Sequence, residues 1–145
     1  MAYKTIEITS AGAIPRVAKK SSHFYKGFSS VNDSGSNTRL YDFELIKQDI
    51  LNHFNTKKGE RLMNPNFGSI IWDLLMEPLT EQIREALIAD INRICTFDPR
   101  VTPTQMDLTE YQNGYLLELT LVMNGTDQSS NMKLTFDQSI GLSVQ

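Results

Sequence analysis

At 145 residues, with 40% apolar and 21% charged side chains, the chain is long enough for one modest core and is not disordered throughout. A formal net charge of −3 argues against a nucleic-acid partner, and the apolar runs Ile70-Ile71-Trp72 and Leu74-Leu75-Met76 fall far short of the ~20 residues of a membrane span. The single cysteine, Cys95, excludes an intramolecular disulfide and a cysteine-based zinc site; with no basic, apolar leader at the start, a cytoplasmic setting is expected.

Charge is unevenly spread. Residues 1–38 carry Lys4, Arg16, Lys19, Lys20 and Lys26 against Glu7 and Asp33, a net of +3, whereas the remaining 107 residues carry a net of −6. The first 38 residues also lack a helical period: Gly12, Pro15 and the Ser/Gly/Asn-rich run from Ser29 to Asn37 interrupt any regular element. Tyr3, Phe24, Tyr25 and Phe28 are aromatics that a plain linker would not need. The expectation is an extended arm over 1–38, ordered by docking, ahead of a folded domain over 39–145.

From Leu40 the period changes. Phe43, Ile46, Ile50 and Phe54 recur at three- and four-residue steps, predicting an amphipathic helix to about Asn55 with Asp42 and Glu44 near its positive end. A loop punctuated by Gly59, Pro65 and Gly68 follows. Ser69 is placed to cap a short helix carrying Ile71, Trp72, Leu74 and Leu75, stopped by Pro78. Thr80 is placed to cap a longer one with the stripe Ile83, Leu87, Ile91 and Ile94, ended by Asp98-Pro99.

After Pro103 the period becomes two. Tyr115, Leu117, Leu119, Leu121 and Met123 fall on one face, and Asn113-Gly114 ahead of them signals a hairpin back to Gln105–Tyr111. Asn124-Gly125 opens a second connection to Met132, Leu134 and Phe136, which alternate with Lys133 and Thr135. These patterns predict an α+β fold: a three-stranded antiparallel sheet packed with about three helices.

Catalytic and metal patterns are weak. His23 and His53 have no second histidine at helical spacing and no cysteine at ligand spacing, so no metal or cofactor is expected. Cys95 sits beside Ile94 and one turn from Ile91, as a small buried apolar side chain would. Glu60, Asp73 and Glu77 bracket the short helix, but nothing in their spacing selects a pair from the 17 acidic residues. Two segments exceed generic scaffold. The first, Lys58 to Gly68, holds Gly59, Glu60, Arg61, Pro65, Phe67 and Gly68; it reads either as an ordered hook packing Leu62 and Phe67 into the core or as a docking loop. The second, Phe97-Asp98-Pro99-Arg100-Val101, turns helix into sheet. There Arg100 either bridges carbonyls or reaches a partner's carboxylate.

Together with Leu74-Leu75-Met76-Glu77-Pro78-Leu79-Thr80 between them, these segments resemble the baseplate wedge and sheath-initiator family of contractile phage tails. Relatives of that family include TssE of type VI secretion, and it was once labelled lysozyme-like. The likeness spans about residues 40–137; the arm, with Phe24-Tyr25-Lys26-Gly27-Phe28-Ser29, is similar to the leader of variants from long contractile tails. The family's Glu-Pro-Arg motif stands here as Asp98-Pro99-Arg100, the charge kept on a shorter stem. The resemblance implies a fold similar to the inner domain of sheath subunits. It implies that Asp98, Pro99 and Arg100 dock on the helical core-bundle proteins of the wedge, and that the sheet templates tail-sheath polymerisation. Tail-tube or hub proteins are implied as neighbours of the arm, and the virion baseplate, assembled in the host cytoplasm, as the location. Strand addition requires an open edge, and the last predicted strand, Met132, Lys133, Leu134, Thr135 and Phe136, is the expected one. The expectation is a non-enzymatic assembly protein; a baseplate peptidoglycan hydrolase using Glu60 or Glu77, and an adaptor unrelated to contractile tails, are the rival readings.

Overall fold

The computed structural model describes residues 23–29 and 39–145. In chain order the elements are β1 (Lys26–Phe28), β2 (Arg39–Tyr41), α1 (Asp42–Asn55), α2 (Ile71–Leu74), α3 (Glu81–Phe97), β3 (Val101–Tyr111), β4 (Gly114–Met123), β5 (Ser129–Asp137) and β6 (Gly141–Val144). The expected helical stripes are the buried ones: Ile46, Ile50 and Phe54 on α1, and Leu87, Ile91 and Ile94 on α3. Thr80 caps α3 as its chemistry requires, its Oγ1 accepting the Ile83 N–H at 3.4 Å. Ser69 acts one step differently. Its hydroxyl accepts the Ile71 N–H at 3.2 Å and donates to Asp90 at 3.1 Å, tying the start of α2 to α3.

The main sheet is antiparallel and four-stranded, in the order β3-β4-β5-β6, with a separate two-stranded sheet of β1 and β2. The expectation of three strands is therefore corrected. The fourth, Gly141–Val144, is too short to show a period; it is reached through a turn in which the Asp137 carboxylate accepts the N–H groups of Ser139 and Ile140. Tyr115, Leu117, Leu119, Leu121, Met123, Met132, Leu134 and Phe136 form the buried face. The helices cover it: Phe136 meets Phe54 and Trp72 edge to face at 5.8 and 5.6 Å. Burying each large side chain of this kind contributes about 1.5–3 kcal/mol.

Three further expectations change with the topology. The strand Met132–Phe136 is not an edge, because Leu134, Thr135 and Phe136 pair with Val144, Ser143 and Leu142. The hairpin lies where Asn113-Gly114 signals it, but its two loop residues are Gln112 and Asn113, with Gly114 already paired to Tyr111. Gly114 is needed for a different reason: a Cβ there would lie 1.7 Å from the Phe136 carbonyl oxygen on the neighbouring strand. Finally, residues 23–29 lie on the folded body. Lys26–Phe28 pair with Arg39–Tyr41, and the Asp42 carboxylate accepts the N–H groups of Phe24 and Tyr25 at 2.8 and 2.9 Å. The rest of the expected arm, 1–22 and 30–38, lies outside the described residues.

Candidate functional site

The two segments that exceed generic scaffold in the sequence meet in space. Arg61 and Phe67 of the hook face Phe97, Asp98, Pro99 and Arg100 of the corner across a cleft of about 460 Å³ floored by α1. The walls form a ladder of flat groups. The Arg61 guanidinium lies 3.8 Å over the Phe67 ring, Phe67 stacks on His53 at 3.9 Å, and Phe97 meets His53 edge-on at 5.3 Å. Guanidinium–ring and offset-ring contacts of this geometry are each favourable beyond the area they bury.

The hook is held by a residue that sequence reasoning did not single out. Arg93 on α3 donates to the carbonyls of Asn66 (2.8 Å) and Gly68 (2.6 Å) and, through Nε and Nη2, to Asp90 (3.0 and 2.7 Å). Asp90, buried, also accepts the Ile70 N–H. A buried carboxylate is thus satisfied by a half-buried guanidinium that also fixes loop carbonyls. Gly68 completes the hook with a φ of +106° and no room for a side chain, since a Cβ would lie 2.6 Å from the Thr56 carbonyl oxygen. A glycine fourteen residues past the last residue of the α1 stripe was the available signal for tight packing; for Arg93 the i,i+3 spacing from Asp90 was visible, but not the hook carbonyls that it reaches.

Phe67 packs against His53 as one of the two expectations for the hook requires, but Leu62 does not enter the core. Leu62 and Met63 are 94% and 99% exposed at the hook's tip. The turn behind them is closed by the Asn64 N–H to the Arg61 carbonyl and the Gly59 N–H to the Pro65 carbonyl. Glu60 serves the same turn by accepting the Lys57 N–H at 3.1 Å.

At the corner, Arg100 is a staple between elements. It donates from Nε and Nη2 to the Asp98 carboxylate and from Nη2 to Asp49 on α1 at 2.6 Å, and its guanidinium lies 5.6 Å from the Tyr25 ring centre. Burial works against the Asp98 charge, yet the hydrogen bonds from Arg100 hold its carboxyl below the usual range. The Arg100 guanidinium is raised in turn, chiefly by its hydrogen bonds to Asp98. Pro99 is exposed at the bend, its carbonyl accepting from Asn124. The Asp98 acid is thus engaged by the chain's own arginine.

His53 is buried with Nε2 lacking a hydrogen-bond partner among the described residues. Its imidazole is held below its ordinary pKa by burial first, then by Arg93, with Arg61 adding to the effect and Asp90 opposing it. Cys95 is fully buried and its thiol is pushed up to about 12, so it is not poised as a nucleophile. Among the described residues no cluster of three or more His, Cys, Asp or Glu is placed to hold a metal, and no helix is long and apolar enough to cross a membrane. Glu60 and Glu77 do not share a cleft. Glu77 lines a second, polar one of about 310 Å³ with Glu110, Gln112 and Gln138.

A family model described as baseplate wedge protein gp25 matches residues 42–130, well over half of the chain and all of the cleft. No curated protein matches. Among solved structures, one from the post-contraction baseplate of pyocin R2 is 23% identical with a TM-score of 0.56, the match covering 70% of this chain and 100% of that one. Another, a candidate tail lysozyme from Geobacter sulfurreducens, is 19% identical with a TM-score of 0.57, covering 65% of this chain and 88% of that one. At these identities the two neighbours speak to the fold.

Proposed function

The chain belongs to the baseplate wedge protein gp25 family, and from that premise we propose that it is a non-enzymatic subunit that docks on the wedge core and starts the sheath. The observation that carries the docking half is the convergence of hook and corner on one cleft. A wedge partner that fills it meets Pro99 and Phe97, the latter 63% exposed, over a frame whose carboxylates, Asp49 and Asp98, are already paired with Arg100. The expected site Asp98, Pro99 and Arg100 is kept as the docking corner, with Pro99 as its outward member. Pro99→Arg places a large cation at the mouth without touching the Asp98–Arg100 pair. Loss of co-assembly with the wedge core subunits, at unchanged thermal stability, is expected; retention would remove the corner from the interface.

For the sheath, the relevant edge is the β6 side. β3, the other open edge, is blunted by Pro103, a register irregularity before Gln105, and the charges of Asp107 and Glu110. Residues 141–145 hold no charge and no proline. The Gln145 N–H donates to the Lys133 carbonyl, so by antiparallel alternation Ser143 also faces β5 while the Leu142 and Val144 N–H groups point outward. A sheath arm adding here gains main-chain hydrogen bonds. Val144→Pro removes one outward donor and spares the β5–β6 ladder. Wedges should form normally and sheaths fail to start; sheaths of normal length would refute this edge.

Residues 1–38 serve in this reading as the arm toward tube or hub proteins; its described part, 23–29, is held on the body with Tyr25 beside Arg100. The hydrolase rival, which the name of one structural neighbour also raises, needs two carboxylates about one bond. Zymography on cell-wall material decides it: clearing lost in Glu60→Gln or Glu77→Gln would overturn a non-enzymatic role. An adaptor unrelated to contractile tails is set aside by the family match.

A further inference from the structure

The hook presents a combination that the chain's own fold does not use. Leu62 and Met63 stand almost wholly in solvent, yet the loop beneath them is fastened by the Arg93 clamp, Gly68 and two turn hydrogen bonds. A protrusion whose backbone is already held loses little backbone freedom on binding, so the cost of ordering it is confined to the side chains, which is what an anchor requires.

Charge selects the partner. Residues 57–68 hold Lys57, Lys58 and Arg61 against Glu60, a local excess of cations on a body of net −6. The carboxylates around the cleft are engaged: Asp73 by Lys57, Asp90 by Arg93, and Asp49 and Asp98 by Arg100. Lys58 and Arg61 have no ion pair among the described residues. A bare apolar tip is therefore flanked by two unmatched cations.

Among the described residues of a second copy, neither of the two clefts is a socket of that kind. Its apolar cleft has its acids already paired, and its acidic cleft, with Glu77 and Glu110, is walled by Gln112, Asn113 and Gln138. We infer that Leu62 and Met63 form a plug, with Lys58 and Arg61 as its rim, for an apolar groove bordered by carboxylates on a wedge core subunit. The inference rests on the wedge-docking reading and deepens it: the hook tip supplies the contact, while the Asp98–Arg100 pair shapes the frame behind it.

The test uses the full chain co-expressed with the wedge core subunits of its own particle. The double variant Leu62→Ser/Met63→Ser, both positions being exposed, should keep the wild-type melting temperature and lower co-assembly at least tenfold. Arg61→Ala should lower it less and flatten its dependence on salt, as expected when a rim cation is removed. Co-assembly of the double variant at wild-type level, with Pro99→Arg still defective, would overturn the plug and leave the docking reading standing. Wild-type assembly by all of these variants would overturn both. Self-association of the isolated chain that the double variant abolishes would also overturn the inference, by making a second copy the occupant.

Discussion

The hook and the corner are both breaks between regular elements on the same cleft, and they are built by opposite means. The corner is closed upon itself: Asp98 takes the Arg100 backbone N–H and guanidinium, and Asp49 takes what remains. The hook is held from outside by Arg93 and Asp90, and the side chains at its tip stand almost wholly in solvent. A charged motif that satisfies itself is a structural staple. Residues left without internal work on a rigid support are the ones available to a partner.

That contrast can be broken experimentally, and the largest effect belongs to the clamp. Arg93→Ala leaves the Asp90 carboxylate buried without its cation and two hook carbonyls without donors. Removing one partner of such a pair costs about 3–5 kcal/mol. Denaturant unfolding reads the loss, and a change below 1 kcal/mol would mean that the hook is not held from α3. The corner should yield less. Arg100→Ala removes charge-assisted hydrogen bonds to Asp98 and Asp49, of which Asp49 is exposed and easily resolvated. A loss of about 1.5–3 kcal/mol is expected from the same measurement. A loss equal to that of Arg93→Ala would erase the distinction drawn between staple and clamp.

The smallest effect is pH dependence at the cleft wall. His53 is neutral in the fold because burial and the nearby Arg93 and Arg61 disfavour its cation. The unfolded chain, with an ordinary imidazole of pKa about 6.5, then binds more protons than the native one as acid is added. The His53 contribution is fully present above pH 6.5 and is lost as the pH falls through that value toward the lower native pKa. His53→Phe should flatten the fall in stability as the pH drops below about 6.5. An unchanged slope would remove His53 as its source.

Much of the fold is legible in the chain because its periods are long. Ile46, Ile50 and Phe54 mark α1, Thr80 starts α3, and five alternating residues from Tyr115 mark β4. What escapes is short or made by distant partners. β6 has four residues, and β1 and β2 have three each. Without β6, Met132–Phe136 reads as an edge strand when it is an interior one. Leu62 reads as core by its chemistry, yet the turn from Arg61 to Asn64 points it outward. The candidate site was legible as two segments but not as one place. Arg93 was missed because its i,i+3 spacing from Asp90 looks like any surface helix pair, and the hook carbonyls that it binds leave no residue pattern behind.

Residue pattern by itself determined the α+β class, the three helices and their buried stripes, and the two segments that matter. Local propensity and hydrophobic period are properties of neighbours along the chain, so they need no knowledge of the rest. Tertiary structure alone decided that the segments share a cleft, which strands border the sheet, and that Arg100 is spent internally while Leu62 and Met63 are not. Each of those outcomes depends on contacts between residues far apart in sequence, where packing and the competition for hydrogen-bond partners are settled only once the chain has closed.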